Sequence, residues 1–149
     1  MHEEQLFEMV NEAVMFAKNE LEQKQALKPF AMVLFKNGYV DSITVDEQDH
    51  DDQYEALVTS LRQRIVDEPK ITGLAIVATV GIPEHYKAPV ESGIRIHLEE
   101  RHKADDKIGA RFLYVPYQLY KSSGSDEITM QLLDPIPVSI PAEIFKPEE

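Results

Sequence analysis

The stretch ITGLAIVATV, residues 71–80, decides the fold. It is apolar at almost every position, and its short length and β-branched residues predict a buried strand rather than a helix. A strand that is apolar on both faces belongs in the interior of a sheet. We therefore expect a central strand that is either covered on both sides within the chain, or covered by the helices on one side and by a partner chain on the other.

Two amphipathic helices are predicted before this strand. From about residue 3 to about residue 25, apolar side chains recur at three- and four-residue spacing, which predicts a helix that must end before Pro29. A second helix with the same spacing follows the acidic residues 46–52 and ends at Pro69. Between the helices, Asn37-Gly38 separates two β-forming runs, which is a strong signal for a β-hairpin.

Three further strands are predicted after the central one. Between residues 94 and 98, Ile and Leu alternate with polar residues, which predicts a strand with one face in the core and the other in solvent. Residues 111–120 form the next strand, and Pro116 within it indicates a bulge or an edge position. Residues 128–132 suggest a last short strand paired back on its predecessor.

The order α-β-β-α-β-β-β-β predicts an α+β fold. It fits a mostly antiparallel sheet of about five to six strands with two helices packed on one face. No repeat and no shift in composition marks a second domain, so we expect a single domain over residues 1–149. Within it, residues 134–149 are rich in both proline and apolar side chains, which predicts an extended tail docked on the surface or on a partner chain.

Two resemblances accompany this pattern. The order of elements resembles that of the roadblock, longin and profilin folds. The segments Lys28-Pro29-Phe30-Ala31 and Tyr114-Val115-Pro116-Tyr117, together with the second helix, resemble a family of small uncharacterised bacterial α+β proteins. The resemblance implies a bacterial, stand-alone domain and brings no activity with it, because a shared fold does not define a function.

Composition excludes several classes of function. With 27 acidic and 15 basic residues the formal net charge is −12, which disfavours binding to nucleic acid and to anionic membranes. The absence of cysteine removes disulfides, thiolate metal sites and cysteine nucleophiles. No apolar run approaches the roughly 20 residues that span a bilayer. The acidic N-terminal sequence MHEEQLFEMV is unlike a signal peptide, so we expect a cytoplasmic protein.

The candidate site lies on the strand around residue 97. Arg95, His97, Glu99 and Arg101 alternate along it and would share one face, as a surface for an anionic ligand or a partner protein. A carboxylate can orient an imidazole, so His97 with Glu99 could also act in acid–base catalysis. The second candidate is His85, in the Gly- and Pro-containing loop 81–89, because loops often carry function.

Metal and nucleotide sites are not expected. Glu100 and His102 fall on the face opposite His97, and a His-x-Glu pair alone offers fewer ligands than zinc requires. The acidic residues 46–52 lack the glycine and closing glutamate of a calcium loop and are interpreted as a solvated loop. No glycine-rich phosphate-binding motif occurs, and no cofactor is predicted.

These observations favour a non-enzymatic homodimer that acts by binding a protein or a small ligand. Two alternatives remain. One is a small enzyme that uses His97 with Glu99, or His85. The other is an acidic inhibitor of a basic toxin or nuclease, because the negative charge would steer a basic partner toward the protein.

Overall fold

The strand predicted from residues 71–80 lies in the interior of an antiparallel sheet. The computed structural model describes residues 2–44, 50–121 and 123–145 of the chain. Its helices are α1 (His2–Lys24) and α2 (His50–Asp67), and its strands are β1 (Phe30–Phe35), β2 (Val40–Ile43), β3 (Ile71–Gly81), β4 (Ser92–Glu100), β5 (Ala110–Lys121), β6 (Ile128–Leu132) and β7 (Ile136–Ile140). Short 3-10 turns cover residues 84–86 and 101–103.

The predicted α+β fold with an antiparallel sheet is confirmed. Six strands follow the order β2-β1-β3-β4-β5-β6, and β7 forms a seventh by pairing with β5. The hairpin between β1 and β2 turns at Gly38, whose φ of 91° is one that glycine adopts without steric cost. The element order along the chain is therefore the expected one, with β7 added from the predicted tail.

The two helices cover opposite faces of the sheet, so the expectation that both pack on one face is wrong. Along β1, Phe30, Met32 and Leu34 pack in one core with α1, whereas Ala31 and Val33 pack in a second core with α2. Side chains of a strand alternate between its faces, so these two sets lie on opposite sides. The physical reason is the apolar character of β3 on both faces, which one layer of helices cannot cover.

β5 pairs with two strands along one edge, on either side of Pro116. Its second half pairs with β6, and its first half pairs with β7, so β6 and β7 follow one another along the same strand. Tyr117 stands opposite Leu132, and Tyr114 stands opposite Ile136. The three residues 133–135 between β6 and β7 therefore face the two residues 115–116 of β5. This irregularity lies between β6 and β7, while the register of β5 with β4 continues through Pro116, which stands opposite Gly93.

Candidate functional site

Strand β4 places Arg95, His97 and Glu99 on the sheet face that α2 covers. His97 stands opposite Ile76 and Glu99 opposite Leu74, and both of these β3 residues belong to the α2 core. The common face is confirmed for these three side chains, whereas Arg101, expected to continue the row along the strand, lies beyond the end of β4. The solvent exposure expected for His97 and Glu99 is wrong, because they are only 2% and 1% exposed, whereas Arg95 is half-buried.

The cover over this face comes from a distant part of the chain. After β7, the C-terminal segment, residues 141–145, crosses the α2 side of the sheet, and its Ile144 and Phe145 pack into the α2 core. The backbone N–H groups of Glu143, Ile144 and Phe145 donate hydrogen bonds to the Glu99 carboxylate over 2.9–3.0 Å. Glu99 therefore joins the middle of the sheet to the end of the described chain.

Glu99 is held as a carboxylate by this environment. Burial by itself raises its pKa, but hydrogen bonds from His97 and from the backbone of Phe145 and Glu143 outweigh burial, and the pKa of Glu99 lies below its ordinary value. His97 contributes through Nε2, which contacts Oε2 of Glu99. His97 and Glu99 therefore form a buried polar pair, in which the imidazole faces the carboxylate and the carboxylate also binds the backbone of the C-terminal segment.

Arg101 lies just beyond β4, in the 3-10 turn 101–103, and also contacts the C-terminal segment. Its guanidinium donates hydrogen bonds to the carbonyl oxygens of Ile71 and Ile65 over 2.7 and 2.9 Å. Its Cζ lies 4.8 Å from the ring centroid of Phe145, within the range of a cation–π contact. Burial lowers the pKa of Arg101. Three of the predicted site residues are thus part of one buried structural contact.

Arg95 and His85 lie at the two ends of a row of aromatic rings. The Cζ atom of Arg95 is 4.6 Å from the ring centroid of Phe112, whose ring is 6.0 Å from that of Tyr114. The row continues to Tyr86 at 5.4 Å and from there to the exposed His85 at 4.1 Å. The structure therefore connects two candidate residues that the sequence leaves apart, through tilted and edge contacts between neighbouring rings.

A catalytic role for His97 with Glu99 finds no route to a substrate in this arrangement. A general base must come within hydrogen-bond distance of the proton that it removes. The two side chains are instead enclosed by β4, Phe112 and the C-terminal segment, with His97 in an edge contact to the Phe112 ring. The arrangement stabilises the fold rather than presenting an acid and a base to a substrate.

Glu100 and His102 do not join His97, because Glu100 lies on the α1 side of the sheet and His102 in the turn after β4. Nε2 of His102 lies 3.5 Å from Oε2 of Glu100. Within residues 2–44, 50–121 and 123–145, no three His, Asp or Glu side chains come together in a group that could hold a metal ion. The side chains of residues 46–52 lie outside the described part of the chain, so the solvated acidic loop stays a prediction.

A concave surface lies on the other face of the sheet, beneath the first turns of α1. We call it the α1 groove; its volume is about 250 Å³. Its lining is mostly apolar, and ligand pockets in proteins generally combine apolar walls with a few polar groups. The lining residues are Glu3, Leu6, Phe7, Val10, Ile96, Leu98, Glu100, Lys103, Arg111, Leu113 and Pro137.

The charged groups of the α1 groove differ in their surroundings. Glu100 is 6% exposed and lies 3.4 Å from Nζ of Lys103, so these two charges offset one another. Arg111 is exposed, and among the described residues no carboxylate lies within ion-pairing distance of its guanidinium. The groove thus combines a mostly apolar lining with a cation, Arg111, that has no ion-pair partner within residues 2–44, 50–121 and 123–145.

Sequence reasoning missed the α1 groove, although one signal for it is present. On β5, Arg111 shares its face with Leu113 and Val115, and both of those residues pack against the α1 core. A charged residue in register with core residues departs from the alternation of apolar and polar faces and marks a boundary of the core. The groove itself depends on where α1 lies on the sheet, which spacing along the chain does not define.

Comparison of the chain with protein-family models, with curated proteins and with solved structures finds no match. The resemblance to small bacterial α+β proteins therefore stays a prediction. Within the described residues, neither helix combines the length and the apolar character needed to cross a membrane.

Proposed function

We propose that this protein is a non-enzymatic binding protein whose small, largely apolar ligand occupies the α1 groove. The observation that carries the proposal is the mostly apolar lining of a concave 250 Å³ space between α1 and strands β4 and β5. This volume is just below the roughly 300–1,000 Å³ of drug-sized ligand pockets, so the ligand is a small one.

The mouth of the groove supports access from solvent. Phe7 is 69% exposed although it lines the groove, whereas Leu6 and Val10 on the same helix are buried. A large apolar side chain at the entrance of an apolar space favours binding of an apolar molecule, because its own contact with water is then reduced.

The enzyme alternative receives less support from the same geometry. His97 and Glu99 are engaged with each other and with the C-terminal segment, and they lie on the opposite face of the sheet from the α1 groove. The imidazole of His85 contacts the ring of Tyr86. Among the described residues, His85 has no contact with a nucleophilic side chain or a carboxylate. A catalytic set would require several such groups to converge.

The test uses the absence of tryptophan from the chain. Phe7→Trp places a single tryptophan at the mouth of the α1 groove, and its emission, excited at a wavelength that the six tyrosines do not absorb, should change in a saturable manner as octanol is added. Met15→Trp is the matched control, because Met15 lies on the same helix, is 58% exposed and does not line the groove. Its emission should stay constant.

A second substitution tests the location of the ligand. Val10→Phe in the Phe7→Trp chain adds a ring to the wall of the groove and should reduce the octanol response, while far-ultraviolet circular dichroism verifies that the chain is folded. The proposal is wrong if Phe7→Trp gives no saturable response, or if Met15→Trp gives the same one.

A further inference from the structure

We infer that the ligand of the α1 groove is an amphipathic monocarboxylate, with its carboxylate on Arg111 and its apolar body against the groove floor. The inference rests on the proposed function and adds the chemical class of the ligand.

Arg111 is suited to bind an anionic head group. Its guanidinium presents several N–H donors in a planar fork that matches the two oxygens of a carboxylate. Within the described residues it has no carboxylate partner, in contrast to Lys103, whose Nζ lies 3.4 Å from Oε1 of Glu100. A ligand carboxylate would therefore gain an ion pair without breaking one that already exists.

The apolar side chains lie next to Arg111 in a defined register. Arg111 stands opposite Leu98 on β4, and Leu113, two residues further along β5, stands opposite Ile96. All three apolar residues line the α1 groove. A molecule with its head group at Arg111 would thus extend along an apolar floor, which is the arrangement that an amphipathic ligand requires.

The other charges of the groove favour one negative charge over two and disfavour a cationic head group. Glu3 lies at the rim, and the whole chain has a net charge of −12, so a dianionic phosphate would meet more repulsion than a carboxylate. An ammonium group would have to compete with Lys103 and His102 for the buried Glu100. A single carboxylate on Arg111 avoids both costs.

The experiment measures binding of four octyl compounds to the unmodified chain by isothermal titration calorimetry. Octanoate, octanol, octylamine and octyl phosphate share one apolar body and differ in their head groups. We expect octanoate to bind about tenfold more tightly than octanol, as a charge-assisted hydrogen-bonded pair on a partly exposed site would provide. Octylamine and octyl phosphate should both bind more weakly than octanoate.

Substitutions at Arg111 assign the preference to its charge. Arg111→Gln should weaken octanoate binding about tenfold and leave octanol binding unchanged, and Arg111→Glu should make octylamine the tighter ligand. Lys121→Gln removes a cation from an exposed position on the same strand outside the groove, and should change neither. Thermal unfolding of each variant verifies that it is folded.

The outcomes separate the two proposals. If octanol binds as tightly as octanoate, or octyl phosphate binds most tightly, the monocarboxylate inference is wrong and the apolar binding site stands. If octanoate is preferred but Arg111→Gln leaves that preference unchanged, the assignment to Arg111 is wrong. If none of the four compounds binds, the proposed function is wrong as well.

Discussion

Glu99 determines how the end of the described chain is attached to the sheet. Its carboxylate accepts hydrogen bonds from three successive backbone N–H groups and contacts His97. Glu99→Gln keeps the size of the side chain but directs an NH₂ group at backbone donors. Because unsatisfied buried donors are costly, we expect a loss of about 2–4 kcal/mol in the free energy of unfolding at pH 7, measured with urea.

The pH dependence of this loss identifies the carboxylate as its source. The pKa of Glu99 in the folded chain lies below its ordinary value of 4.5, so its contribution to stability is present above that value and is lost as pH falls through the folded pKa. The difference between Glu99→Gln and the unmodified chain should therefore shrink in acid below about pH 4.5. Glu143→Gln, at an exposed side chain of the same segment, should cost less than about 0.5 kcal/mol. Equal losses for the two variants would contradict the role of Glu99.

At the scale of single residues, the sequence predicts which face of the sheet a side chain points to. It does not predict which part of the chain covers that side chain. Alternation along β4 correctly places Arg95, His97 and Glu99 on one face, because the side-chain period of a strand is local. It gives the wrong exposure, because the groups that cover Glu99 lie more than forty residues away along the chain. A charged, alternating strand looks the same in sequence whether water or a distant segment satisfies its polar groups.

At the scale of elements, the position of the helices shows a related limit. The apolar stripes of α1 and α2 define which face of each helix is buried, and the predicted bounds agree closely with His2–Lys24 and His50–Asp67. They do not define which face of the sheet each helix covers. Only the sequence of β3 indicates that both faces of the sheet are covered, because its consecutive apolar residues require cover on both sides.

The C-terminal segment, residues 141–145, and Glu99 should act as one unit. A chain that ends at Ile140 loses Ile144 and Phe145 from the α2 core and leaves the Glu99 carboxylate without its backbone donors. We expect the free energy of unfolding to fall by more than about 3 kcal/mol.

A double-mutant cycle distinguishes coupling from simple loss of packing. In the shortened chain Glu99→Gln removes a buried charge that has lost most of its partners, so it should cost far less than in the full chain, or stabilise it. Urea unfolding of the four chains gives the interaction free energy. Additive effects within about 0.5 kcal/mol would show that Glu99 and the segment are independent.

At the scale of the whole molecule, two sequence features favour a homodimer: the strand that is apolar on both faces and the apolar tail. In the structure, a single chain covers both of them. β3 is covered on both faces by the protein's own helices, and residues 136–140 of the predicted tail pair with the protein's own β5. The homodimer and the basic partner of an acidic inhibitor stay predictions, since neither is tested by a single chain. The apolar side chains of the sheet that stay half-exposed are relevant to the homodimer.

Part of the sheet on the α2 side has half-exposed apolar side chains, and we predict that a second copy of the chain covers it. We call it the open α2 face; it consists of Phe112, Ile136, Val138 and Ile140. On β7 the half-buried residues alternate with exposed ones, as expected for a strand with one apolar face. A two-fold axis would bring the same strip of each copy together.

Association through the open α2 face must overcome repulsion between two copies of charge −12. Added salt screens this repulsion and leaves apolar contacts intact, so the dimer should strengthen as salt is raised, as measured by sedimentation equilibrium at tens of micromolar. Val138→Lys puts a charge on the open α2 face and should give monomers. Ser139→Lys puts the same charge on the other face of β7, because neighbouring residues of a strand point to opposite sides, and should leave the dimer intact. A chain that is monomeric at every salt concentration, or two variants with equal effect, would show that this surface does not join two copies.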